Sequence, residues 1–164
     1  MSETRRIADQ LRRAFQGEAW HGPSVKEALA GVTARQAAAR PIAAAHTIWE
    51  IAAHIAVWEN AILKRLQGQI VQPQGDEDWP PTGEGGERAW AELLARLETG
   101  NRALCDAILA LDDSRLDESP GANRPTLYVL LHGILQHDLY HAGQIALLKK
   151  GVCLLYTSPS PRDS

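Results

Sequence analysis

The sequence predicts an all-α fold, a bundle of four long helices with one long crossover between the second and the third. Three observations carry that expectation. Apolar residues recur three and four apart in four separate stretches, which places each set on one face of a helix. Three segments of the form Ser/Thr-x-x-Glu/Gln begin at Ser24, Thr33 and Thr47, the pattern of a capping box that opens a helix. Residues 69–86 are rich in Pro, Gly and acid and do not read as helix. In a four-helix bundle, a connection of that length is how two successive helices come to run parallel. No stretch carries a strand signal, and no internal repeat is visible.

The first helix spans residues 3–16, with Ile7, Leu11 and Phe15 four apart and Gly17 as its stop. A loop carrying Trp20 and His21 follows. Ser24 and Glu27 open a short helix ending near Gly31, and Thr33 and Gln36 open an Ala-rich turn stopped before Pro41. Thr47 caps the second long helix, which runs to about Gly68 with Ile48, Ile51, Ile55, Trp58, Ile62 and Leu66 inward and His54 beside that stripe. The third covers about 87–111, with Trp90, Leu93, Leu94, Leu97, Leu104, Ile108 and Leu111 inward and an interruption at Gly100 and Asn101. Thr126 caps the fourth, which ends at Lys149, Lys150 and Gly151, basic residues in a last turn being favoured by the helix dipole. Gly133 and Gly143 each cost about 1 kcal/mol against Ala inside that helix, and close approach of another backbone is the expected reason. Residues 1–151 thus form the domain. Residues 152–164 show no helical period, end in Ser and Pro, and read as a non-native or disordered tail.

Composition excludes several classes. A chain of 164 residues is long enough for one domain with a proper core. Net charge is −3 with no basic stripe, so a nucleic-acid partner is not expected. No apolar run reaches membrane-spanning length, and the charged N-terminus lacks the apolar core of a signal peptide. Cys105 and Cys153 form neither a CxxC pair nor a disulfide framework. A cytoplasmic protein without a membrane partner is the expectation.

The chemistry concentrates at residues 137–141, His-Asp-Leu-Tyr-His. Histidines four apart project from one helix face, here in line with Leu127, Leu130, Ile134, Ile145 and Leu148. Two imidazoles stand where leucines would be expected, and burying them without partners is costly. Either a bound metal or a pair of hydrogen-bonded core histidines resolves this, and spacing alone leaves both open.

Together with residues 46–58, His-Thr-Ile-Trp-Glu-Ile-Ala-Ala-His-Ile-Ala-Val-Trp, and residues 137–145, His-Asp-Leu-Tyr-His-Ala-Gly-Gln-Ile, the chain resembles the DinB-like (DinB/YfiT) superfamily of metal-binding four-helix bundles over about residues 3–150. The resemblance implies an up-down-down-up bundle, frequent homodimers, and one divalent metal held by three histidines: His54, His137 and His141 here. Three imidazoles leave an open coordination position of catalytic type, and zinc, nickel and iron(II) all match the donors. Candidates for the pocket, or for groups behind the ligands, are His21, His46, Trp58, Asp138 and Gln144. Asp138 lies about 100° around the helix from His137, so a solvent-facing position is its alternative; His132 points away from the site.

Related families include metal-dependent transferases that use low-molecular-weight thiols. The resemblance therefore implies a metal-dependent thiol transferase or hydrolase with a small-molecule substrate; the alternative is a non-catalytic metal-binding or dimeric helical module. Cys105 reads as a buried helix residue, not a nucleophile. Val57 and Leu63, apolar outside the main stripe of the second long helix, point to a helix-packed homodimer.

Overall fold

A computed structural model describes residues 1–82, 84–121 and 124–157, the last four of these as helical backbone only. Among them the fold is all-α, with six helices and no strand. Four are long: α1 (Glu3–Gln16), α4 (Ile48–Leu66), α5 (Gly86–Leu109) and α6 (Leu127–Thr157). Two are short, α2 (Val25–Leu29) and α3 (Ala34–Ala38). All three expected capping boxes form: the Ser24, Thr33 and Thr47 side chains each accept from the backbone N–H three residues on, and Glu27, Gln36 and Glu50 reach back. Such a cap is worth about 1 kcal/mol. The box at Thr47 is reinforced, because Glu50 also binds Arg40 at 2.8 Å and His46 at 3.3 Å.

The long helices close a ring of contacts, α1 on α5, α5 on α4, α4 on α6 and α6 on α1, while α2 and α3 cover one end. The apolar core divides in two. One cluster gathers Phe15, Val25, Leu29, Trp49, Ile51, Trp90, Leu97, Ile145 and Leu148. The other gathers Ile7, Leu11, Ile62, Leu104, Ile108, Leu131 and Ile134. Between them in sequence, on all three of α4, α5 and α6, stand buried polar residues, Glu59, Asn101, and Asp138 and His141, and His54 joins them from within the first cluster's stretch of α4. A polar layer thus separates two dry ones.

Several expectations are corrected. α5 runs unbroken through Gly100 and Asn101, because Asn101 is fully buried and its amide donates to Glu59 at 2.6 Å. α6 continues past Gly151 to Thr157, with Val152 at 1% exposure, so burial carries the helix through a residue that reads as a stop. The remainder of the expected tail, residues 158–164, lies outside the described residues. Among the described residues no neighbouring atom approaches within 4 Å of the Cβ position at Gly133 or Gly143, and both are exposed. The close approach is at Gly151, where a Cβ would meet Pro41 at 3.2 Å.

Candidate metal centre

His54 comes from the middle of α4, and His137 and His141 from successive turns of α6, which packs directly on it. One nitrogen from each ring lies within 4.8 Å of the other two. The Nε2 atoms of His54 and His137 are 3.0 Å apart, and the ring of His141 is 4.4 Å from that of His137 and 4.9 Å from that of His54. The three side chains are therefore placed to hold one metal ion.

What lies behind each ring sets its tautomer. His54 Nδ1 is 2.9 Å from the backbone carbonyl of Asp78 and 3.0 Å from its carboxylate. His141 Nδ1 is 2.7 Å from Gln144 Oε1. His137 Nδ1 has Asp138 Oδ1 at 3.5 Å. A carbonyl only accepts, so the hydrogen of His54 sits on Nδ1 and its Nε2 offers a lone pair. The amide oxygen of Gln144 does the same for His141. Oxygen acceptors behind the outer nitrogens are the arrangement in which imidazole ligates a metal.

Burial keeps the rings neutral. It pushes His137 and His141 down to about 4 and lowers His54, against the raising effect of Asp78. Neutral imidazole is the ligating form.

The crossover supplies the part of the site that sequence reading missed. Trp79 lies flat between two imidazoles, 3.6 Å from His46 and 3.9 Å from His54. Asp78 also accepts from Trp58 Nε1 at 2.7 Å. Arg65, buried at the end of α4, holds the loop down by donating twice to the carbonyl of Val71, at 3.0 and 2.8 Å, and lies over the Trp58 ring at 5.5 Å. An acidic, Pro-rich loop that spends a tryptophan at Asp-Trp-Pro-Pro is a signal that one side of it is covered.

The other candidates divide. Trp58 walls the site, 6.1 Å from His137. His46 is exposed and joins only through Trp79 and Glu50. His21 is exposed on its loop beside Glu27 and takes no part in these contacts. Gln144 is seated on His141. Asp138 is fully buried, correcting the solvent-facing alternative. It sits with Glu59 beneath the site, and among the described residues neither Glu59 Oε2 nor Asp138 Oδ2 has a donor to accept from. Burial raises both acids, Asp138 to about 8 and Glu59 well above the carboxylate range, the latter also through Asp138. One shared proton satisfies both oxygens. Glu59, four after Ile55 and three before Ile62, falls on the inward stripe, so its burial was legible in the spacing.

Among the described residues no helix is long and apolar enough to cross a membrane. No curated protein and no solved structure matches the chain. A family model described as DinB superfamily matches residues 19–145, a span that contains all three histidines and most of the crossover contacts just described. The chain belongs to the DinB superfamily.

Proposed function

We propose that His54, His137 and His141 bind one divalent ion, and that the protein is a metal-dependent thiol transferase or hydrolase acting on a small molecule. The observation that carries this reading is the convergence of three imidazoles whose outer nitrogens face oxygen acceptors, two of them at 2.7 and 2.9 Å. Three protein ligands leave a coordination position free, as catalytic sites do. Zinc, nickel and iron(II) are the candidate ions. The chemistry such an ion supplies when bound is a lowered pKa for a water or a low-molecular-weight thiol at that position, and polarisation of a carbonyl. The protein's own part is to hold three neutral rings, fix the hydrogens of His54 and His141 on their outer nitrogens, and wall the position with the indoles of Trp58 and Trp79.

The wider reading is an up-down-down-up bundle, cytoplasmic, and a homodimer. The topology rests on paired contacts. Trp49 meets Trp90 and Glu59 meets Asn101, so α4 and α5 advance together. His54 and Trp58 meet His141 and His137 in reversed order, so α6 runs back. Ala8 lies at Cys105 and Thr4 at Asp113, so α1 opposes α5.

The runner-up is a non-catalytic metal-binding module, and two observations favour it. Cys105 is pushed up to about 12 by burial and offers no nucleophile. A cleft of about 970 Å³ between α4 and α5, bounded by Pro80, Pro81, Thr82 and Glu84, contains none of the three histidines in its wall. Elemental analysis of purified protein, joined to a screen of electrophiles with low-molecular-weight thiols, separates the readings. One bound ion per chain with thiol-dependent turnover supports the enzyme, one ion without turnover the module, and no ion overturns both.

A further inference from the structure

The solvent face of α6 is unlike that of the other long helices. From Leu127 to Leu148 the helix contains no Lys, Arg or Glu, and its one Asp is buried. Exposed along one line are Val129 (52%), Gly133, Gln136, Tyr140 (66%), Gly143 and Leu147 (62%). Their spacing is four, three, four, three, four, the seam of a coiled coil and not the broader stripe of a helix lying on its own core. A helix apolar on this many sides is ordinarily covered. Among the described residues nothing explains the two glycines, since a Cβ at either would meet no neighbouring atom within 4 Å.

The line is also palindromic. Val129 and Leu147 are equally far from position 138, as are Gly133 and Gly143, and Gln136 and Tyr140. In an antiparallel coiled coil the two kinds of seam position face each other across the pair, and a twofold axis makes every such contact occur twice. Laid on a second copy of itself about position 138, the face sets large apolar on large apolar at each end. It sets glycine on glycine at the next layer, and Gln136 against Tyr140 at the centre.

We propose that α6 packs antiparallel on α6 of a second copy through this line, and that Gly133 and Gly143 are there to let the two backbones close. The second copy is the homodimer partner proposed above, and the surface differs from the one that Val57 and Leu63 indicate. Leu63 is packed against the core and Val57 lines the α4–α5 cleft. The line is about 27 Å long at 1.5 Å per residue. One helix pair of that length falls short of the ~800 Å² per partner of a standard interface, so the association is expected to be concentration-dependent.

The test uses the full chain with Cys153→Ser, which removes the exposed native thiol; Cys105 is buried. Gly133→Cys and Gly143→Cys proteins are oxidised mildly, separately and mixed. Opposed seam positions bring the thiols within disulfide range only across unlike pairs, so the mixture should give a disulfide-linked dimer and each variant alone little. Leu147→Lys and Gly143→Leu should weaken association at least tenfold by light scattering. Gly143→Leu should not lower the melting temperature of the monomer, because leucine is the better helix former. A wild-type monomer at every concentration overturns the homodimer itself. A dimer that shows no cross-link in the mixture, or one equally strong in either variant alone, overturns this surface and leaves the dimer standing. None of these readouts moves if the thiol-transfer reading fails.

Discussion

His54 and His137 face each other Nε2 to Nε2 at 3.0 Å, from positions 83 residues apart. The hydrogen of His54 is committed to the carbonyl of Asp78, so the pair is either bridged by the one hydrogen on His137 or turned towards a common ion. His137→Ala separates ligation from folding. The apolar clusters on either side of the polar layer do not depend on His137, and water can occupy the vacated space. The variant is expected to lose metal uptake and any activity, keep its helical circular dichroism, and lose about 1–2 kcal/mol. Unfolding would make the site structural; a folded, metal-free and active variant would make the ion incidental.

Gln144 has no role in packing that methionine would not fill, yet it fixes the hydrogen of His141. Gln144→Met should therefore weaken metal affinity about 10- to 100-fold, the usual cost of removing a group that orients a ligand. Competition against a chromogenic chelator measures it. Unchanged affinity would show that His141 is oriented by packing alone.

Thr47→Ala removes one arm of the capping box at the start of α4. The expected loss is about 1 kcal/mol, seen as a small fall in melting temperature, with metal affinity unchanged because His54 lies two turns on. A large fall in affinity would mean that the helix start positions the ligand.

The Glu59–Asp138 pair gives the metal-free protein an unusual pH dependence. An ordinary carboxyl loses its proton near 4, whereas burial holds the one on Asp138 to about 8. The folded state keeps a proton the unfolded chain releases, so this contribution is present at low pH and lost as pH rises towards 8. His137 and His141 act oppositely, because they are neutral down to about 4 when folded and to about 6.5 when unfolded. Their contribution rises with pH between those values and is complete above them. Stability should thus rise by about 3 kcal/mol from about 4 to 6.5, where two imidazoles outweigh one carboxyl, and fall by about 2 kcal/mol from 6.5 to 8. Glu59→Gln, whose amide can donate to Asp138, should flatten the fall. Denaturant midpoints across that range decide it; a rise towards pH 8 would refute the shared proton.

Periodicity and caps made α1, α4 and α5 legible to within a few residues, because their signals are local. The end of α6 was not legible, since only burial of Val152 outweighs Gly151. The histidines were readable from their spacing and from the resemblance of residues 46–58 and 137–145. Asp78 and Trp79 were not, because a loop has no period to reveal which side faces inward. The angle that gives Asp138 its solvent-facing alternative excludes nothing, because α6 is apolar nearly all round and neighbouring positions 137 and 138 both face inward.

The loop that lays Trp79 on His54 also fixes an order of events. His54, Asp78 and Trp79 leave the ribosome within about 1–5 s of one another at 5–20 residues per second, and Arg65 can pin that loop as soon as it exists. His137 and His141 follow on the order of 3–12 s later at 5–20 residues per second. Through that interval the nascent chain presents one of the three clustered histidines, half covered by an indole, and no chelating set. Choice of metal then falls to the finished bundle and the ions available to it, not to whatever the growing chain happens to meet first.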